Sequence, residues 1–259
     1  MTASDNIDPE TTNQDKAALQ IIDFDHSARR LNNLAVALNA QSYLEIGVES
    51  GLTFLNVSCS NKTGVDPSFL FDWQSYNRRQ GFKLCNSTSD DFFHNLDTST
   101  KYDLVFIDGL HAFEQTYRDI INSLRFSHSQ TVFLIDDTVP CDVFSACRDQ
   151  AECYSLRSQL LDPSDNRWHG DTYKIMPLLS AFNCDMKLAT IVDKGNPQTL
   201  LWRPKFIQDP DPIRMTQAMW ALQNLAAADY LWFLQNFSLY NPVTEDEAID
   251  QVLRSIGLP

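Results

Sequence analysis

The chain has 259 residues, 43% of them hydrophobic, enough to bury the core of one large α/β domain with an appendage. It carries 34 acidic against 20 basic residues, a net charge of −14, which argues against a nucleic-acid or anionic-membrane surface. No apolar run reaches membrane length and no signal peptide is seen, so a cytoplasmic protein is expected, with its six unpaired-looking cysteines as reduced thiols.

Residues 1–16 are polar and read as a disordered arm. A helix is expected from Phe24 to Leu38, with Arg29 and Arg30 beside Leu31, Leu34 and Leu38. Tyr43 to Ile46 reads as the first strand, and Gly47 and Gly51 bracket a turn into a helix. Lys62 to Val65 is the second strand, ending in Asp66, and Phe82 to Cys85 is the third. Thr88, Ser89 and Asp90 then open a short helix.

Two apolar runs follow, Leu104–Ile107 and Thr131–Ile135, of the kind buried on both faces of a parallel sheet. Between them His111 to Phe126 has helical length and sets Phe113, Tyr117, Ile120, Ile121 and Leu124 near one face. This is a right-handed strand–helix–strand crossover. Each run ends in acid: Asp108 after the first, Asp136 and Asp137 after the second. Ligands of open parallel sheets bind outside the carboxyl ends of the strands. Neighbouring strands there would bring the three acids close enough to share a hard cation such as Mg²⁺. His111 lies one helical turn past Asp108, at the same rim. Single acids at such places also serve as helix caps, but three with a histidine point to a site.

Residues 141–161 read as helical, 162–171 as a polar loop holding Trp168, His169 and Gly170, and 173–182 as helical again. Met186 to Val192 and Thr199 to Trp202, joined through Gly195-Asn196-Pro197, form a closing antiparallel hairpin. The pattern gives a Rossmann-like, doubly wound α/β sheet of seven strands over residues 17–204. Residues 205–259 form a helical extension rich in Trp220, Leu222, Leu225, Tyr230, Trp232 and Phe233. It is expected to pack on the sheet and to offer a homo-oligomer contact.

Glu45-Ile46-Gly47-Val48-Glu49-Ser50-Gly51 resembles the first motif of class I S-adenosylmethionine (SAM) dependent methyltransferases, in the spacing of the catechol O-methyltransferase branch. Gly64-Val65-Asp66 is similar to the second motif, whose acid takes the ribose hydroxyls. The stronger likeness is FIDGLHAFEQTYRDI followed by LIDDTVP, which resembles the metal-dependent sugar O-methyltransferases of macrolide and aminocoumarin biosynthesis. The resemblance implies Glu45, Gly47, Gly51, Asp66, Ser89, Asp90 and Asp108 at the cofactor, Asp108, Asp136 and Asp137 on Mg²⁺, and His111 as general base. Many relatives have His-Asp where this chain has Asp136-Asp137, which leaves Asp136 the less certain ligand. Trp168 to Lys174 also looks like a segment of that group, with no role attached.

The implied activity is SAM-dependent, metal-assisted O-methylation of a sugar or glycosylated small molecule. Two readings stand beside it: a catechol-like acceptor, and a SAM-binding protein without catalysis whose acids are only caps. His26, Arg29 and Arg30 meet either the carboxylate of the cofactor's methionine part or solvent. His169 is either structural or turned to the substrate.

Overall fold

The computed structural model describes residues 26–183, 185–205, 223–225 and 228–258. The arm at 1–16, the start of the first helix, Cys184, Trp220 and Leu222 lie outside the described residues. The strands are β1 (Ser42–Ile46), β2 (Asn61–Asp66), β3 (Phe82–Asn86), β4 (Tyr102–Ile107), β5 (Ser127–Ile135), β6 (Lys187–Ile191), β7 (Gln198–Trp202) and β8 (Pro242–Val243). The helices are α1 (His26–Leu38), α2 (Leu52–Asn56), α3 (Trp73–Tyr76), α4 (Ser89–Asn95), α5 (Phe113–Leu124), α6 (Gln150–Leu160), α7 (Ile175–Phe182), α8 (Tyr230–Gln235) and α9 (Glu245–Ile256).

One sheet runs β3-β2-β1-β4-β5-β7-β6-β8. The pairs β1–β2, β1–β4, β2–β3 and β4–β5 are parallel, and β7 is antiparallel to both β5 and β6. Alternation sends successive side chains to opposite faces. Val105, Ile107, Phe133 and Ile135 enter one core, and Leu104, Phe106, Val132 and Leu134 the other. Both faces are covered, so the strands read as continuous apolar runs.

Two details differ from the sequence reading. The sheet has an eighth strand, because Thr190 N–H donates to Asn241 and Val192 N–H to Val243 at the free edge of β6. Residues 141–149 are not helical, and α6 starts only at Gln150, where the Asp149 carboxylate caps the Glu152 N–H. Asp142 holds the preceding stretch as a turn by accepting from Phe144 and Ser145 N–H. No described helix is long and apolar enough to cross a membrane.

The residues after 228 are built into the core. Phe233 and Tyr240 pack edge-on with centroids 5.1 Å apart, and the Tyr240 hydroxyl donates to the Tyr173 carbonyl at 2.6 Å. On the other face α9 opens with a capping box, Thr244 with Glu247. Its Glu245, almost fully buried, accepts from Arg29 at 2.5 and 2.7 Å and from Arg30 at 3.2 Å. Arg30 is equally buried and also donates to Gln198 at 2.8 Å and to the Asp193 carbonyl at 2.7 Å. Arg29 and Arg30 therefore serve as anchors for the C-terminal helix, where a place at the cofactor was one of the expectations.

Glu245→Ala leaves the Arg30 guanidinium buried without its counter-charge, and we expect a loss of about 3–5 kcal/mol in urea unfolding. Burial alone would raise the Glu245 carboxyl, but the two arginines win and hold it below 4.5. The pair's stabilisation is therefore complete above that value and is lost as pH falls through the lowered one. Wild-type stability should fall along that acid limb, and the variant's limb should be shallower.

Candidate active site

The carboxyl ends of β1, β2, β4 and β5, with the start of α4, open into one cavity of about 840 Å³. Three backbone bonds carry the sheet one residue further at this edge. Gly47 N–H donates to Val65, Asp108 N–H to Ile46 and Asp136 N–H to Ile107. The turn after each strand thus delivers its side chain at one level.

Glu45, Gly47, Asp66, Ser89, Asp90, Asp108, His111, Asp136 and Asp137 all line the cavity. Gly51 does not: it precedes α2 and sits under the Phe71 ring. Gly47 has φ +86°, and a Cβ there would stand 1.9 Å from the Asp108 carbonyl oxygen. Glycine is required both by the left-handed turn and by the chain leaving β4. Glu45 is buried and accepts from the Tyr43 hydroxyl. Asp66 accepts from Glu49 N–H at 2.8 Å and Ser68 N–H at 2.6 Å, which fixes its carboxylate at the cavity wall.

At the β4–β5 end, ligand atoms of Asp108, His111 and Asp137 lie within 4.8 Å of one another. His111 Nε2 is 2.9 Å from Asp137 and 3.8 Å from Asp108. Asp137 reaches this place from a left-handed backbone, φ +57°, which an Asp tolerates better than most residues. Asp136 turns the other way. Its carboxylate accepts from Asn196 at 2.8 Å, Gln198 at 2.9 Å and the Asp137 N–H at 2.8 Å, so it stands outside the group expected to include it.

Burial and then repulsion from Asp136 and Asp137 push the Asp108 carboxyl well above the ordinary carboxylate range. Burial and the Asp137 charge push Asp136 up to about 7. At His111 burial works to lower the pKa, but the hydrogen bond and charge of Asp137 outweigh it and the net shift is upward. Two carboxylates and an imidazole so placed suit a hard divalent cation, whose charge would relieve the repulsion among the acids.

His111 is fixed by the 168–171 segment. Its Nδ1 is 3.1 Å from the Trp168 carbonyl, which can only accept, so Nδ1 carries the proton. The Trp168 indole stacks on its ring, with centroids 4.6 Å apart. Gly170 abuts the His111 carbonyl, where a Cβ would stand 1.8 Å away, and Asp171 N–H donates to that oxygen at 3.2 Å. The Asp171 carboxylate accepts from Phe113 N–H at the start of α5. His169 is buried, with Nδ1 unpaired and a lowered pKa from burial, and does not line the cavity. His26 packs on Gly195, away from it.

The sequence reading missed Gln115 and Asp119, which also line the cavity. A second stripe on α5 was the available signal: Gln115, Thr116, Asp119 and Ser123 recur at three- and four-residue spacing beside the apolar face.

Residues 44–138 match the family model described as a methyltransferase domain. They span β1 to the turn after β5 and hold most of the cavity wall. Among solved structures, the cofactor-bound protein Rv0187 from MTB is similar at 18% identity, covering 76% of this chain and 90% of its own, with a TM-score of 0.52. An O-methyltransferase from Bacillus cereus in complex with SAH is 16% identical over 74% of this chain and 88% of its own, with a TM-score of 0.47. TomG, an O-methyltransferase of Streptomyces achromogenes in complex with SAM, is 16% identical over 68% and 78%, with a TM-score of 0.48. The first of these likenesses is one of fold. No curated protein matches the chain in sequence.

Gly47→Ala tests the turn that leaves β1 and packs against Asp108. The left-handed backbone alone should cost about 1–2 kcal/mol, and the contact with the Asp108 carbonyl adds to it. A thermal midpoint equal to that of the wild type would show that the turn does not have this conformation.

Proposed function

We propose that this protein is a SAM-dependent methyltransferase that transfers the methyl group of SAM to a hydroxyl of a sugar or glycosylated small molecule, with a divalent cation, Mg²⁺ by ligand type, at Asp108 and Asp137. The observation that carries the reading is the convergence of those two carboxylates with His111 at one end of the cavity whose wall holds Gly47 and Asp66. The histidine three residues past Asp108 is what favours a sugar over a catechol acceptor, since the resembling catechol enzymes have lysine there. The family model that matches residues 44–138 is that of a methyltransferase domain, and the cofactor-bound Rv0187 is similar in fold.

Bound at this group, a divalent cation supplies positive charge that lowers the pKa of the acceptor hydroxyl and orients it. The chain's own residues do the rest. Asp66, with its carboxylate held by two backbone N–H groups, has lone pairs left to accept from a ribose diol. With Nδ1 donating to the Trp168 carbonyl, His111 Nε2 holds the Asp137 carboxylate through its own proton at 2.9 Å, and once that proton is given up Nε2 carries the lone pair. That nitrogen takes the hydroxyl proton as the acceptor oxygen receives the methyl group. Trp168 and the 168–171 segment keep the ring from rotating, so the reacting groups meet in a narrow range of geometries.

Asp108→Ala and Asp137→Ala should abolish methyl transfer and Mn²⁺ binding while leaving SAH binding nearly unchanged. Asp66→Ala should weaken SAH binding by about 1–3 kcal/mol in calorimetry. Methyl uptake from labelled SAM by a panel of glycosides, run with and without EDTA, tests the whole reading, and full activity in excess EDTA would sink the metal assignment. His111→Ala should lower kcat by about 10²–10⁴-fold, the usual contribution of a positioned base. Mn²⁺ affinity separates the roles of His111: the base reading expects it nearly unchanged in His111→Ala, and a large loss would make His111 a ligand.

A further inference from the structure

Asp137 reaches its place beside His111 from a left-handed backbone, and the residues on either side of it are held by one strand. Asp136 accepts from Gln198 Nε2 at 2.9 Å, and the Thr138 hydroxyl lies 2.8 Å from the Thr199 hydroxyl. Gln198 and Thr199 open β7, which pairs antiparallel with β5. Thr138, Gln198 and Thr199 are fully buried. The turn is thus clamped before and after Asp137. Asp137 is tied to the clamp directly as well, because its N–H donates to Asp136 Oδ1 at 2.8 Å.

A glutamine amide can face a carboxylate in two ways, and only one presents a donor. Arg30 decides which. It is almost fully buried, has donors and no acceptor, and gives a hydrogen bond to Gln198 Oε1 at 2.8 Å. That leaves Nε2 for Asp136, and Nε2 also donates to Ser27 Oγ at 2.7 Å. Arg30 donates further to the Asn196 and Asp193 carbonyls, which braces the hairpin turn between β6 and β7. From that turn Asn196 Nδ2 donates to Asp136 at 2.8 Å. Glu245 holds Arg30 in turn.

Resting on the cation reading above, we propose that Gln198 is a positioning residue of the cation site. Through Asp136 it fixes the left-handed turn that presents the Asp137 carboxylate to Asp108 and His111. Arg30 sets its orientation, with the donor toward Asp136. Removing an outer partner of this kind typically costs a metal site about 10–100-fold in affinity.

The test is Mn²⁺ affinity, read by electron paramagnetic resonance on the full chain saturated with SAH, with SAH affinity as the measure of an intact cavity. Gln198→Glu turns an acceptor toward Asp136, and the two carboxylates repel. Mn²⁺ affinity should then fall about 10–100-fold. A role through charge alone expects the reverse, because the variant adds a negative charge near the cation. Asp136→Asn should also bind Mn²⁺ weakly, since its amide meets the Gln198 amide donor to donor. The double variant, Asp136→Asn with Gln198→Glu, exchanges carboxylate and amide. The donor at 136 then meets an acceptor at 198, Arg30 still finds an oxygen at 198, and Asp137 N–H still finds one at 136. It should bind Mn²⁺ at least about 10-fold more tightly than either single variant. A double variant no better than Asp136→Asn overturns the proposal and makes Asp136 a ligand. Tighter Mn²⁺ binding by Gln198→Glu, or wild-type affinity in both single variants, overturns it too. Where a single variant fails to bind SAH, the double variant decides: Mn²⁺ affinity within about 10-fold of the wild type supports the proposal, and a larger loss overturns it. A wild type that binds SAH but no Mn²⁺ overturns the cation reading and this proposal with it, whereas Mn²⁺ binding without rescue overturns only the role of Gln198.

Discussion

Eight carboxyl groups, of Glu45, Glu49, Asp66, Asp90, Asp108, Asp119, Asp136 and Asp137, line one cavity, and no described lysine or arginine does. Two unit charges about 4 Å apart repel by about 4 kcal/mol at an effective dielectric of about 20. Unless answered, that repulsion would open the carboxyl edge of the sheet. Five of them have a particular answer. Asp66 has backbone N–H groups, Asp90 has Arg118, Asp119 has Gln115, Asp136 has two amide side chains and Asp137 has His111. Asp108 has the least direct compensation, and burial with the neighbouring acids pushes its carboxyl well above the ordinary range.

The compensation reaches far from the cavity. Asp136 is held by Gln198, Gln198 Oε1 accepts from Arg30, and Arg30 pairs with Glu245 at the start of α9. Four segments distant in sequence therefore meet in one buried polar chain: α1, the turn after β5, the hairpin of β6 and β7, and the C-terminal helix. Such a network rigidifies when every member is satisfied and fails as a unit when one is removed. The C-terminal helix thereby supports one of the acids at the cavity, although none of its own residues lines it. On the opposite side of the site, Trp168, Gly170 and Asp171 do similar work for His111, fixing ring, carbonyl and helix start at once.

Much of this was legible in the sequence. Parallel strands buried on both faces leave long apolar runs, and Leu104–Ile107 and Thr131–Ile135 are such runs. A strand's carboxyl end is a fixed point, so the acid that follows it has a predictable place. For this reason Asp66, Asp108, Asp136 and Asp137 were readable as residues of one edge, and His111 with them. The stretch from 141 to 149 misled because its apolar spacing suits a helix, while Asp142 and Ser145 offer the backbone a competing set of hydrogen bonds.

The sequence by itself determined the alternation of the first seven strands with helices, the edge at which the acids gather and the residue types available for chemistry, because these depend on local periodicity and on chain direction. Only the tertiary structure decided how neighbouring acids divide their work. Asp136 and Asp137 are adjacent and chemically identical, yet the left-handed backbone at Asp137 sends one toward His111 and leaves the other to Asn196 and Gln198. Only the fold, likewise, turned Arg29 and Arg30 from cofactor candidates into partners of Glu245, more than 200 residues away. Pairings across such distances are set by which surfaces the sheet brings together, and no local pattern in the chain encodes them.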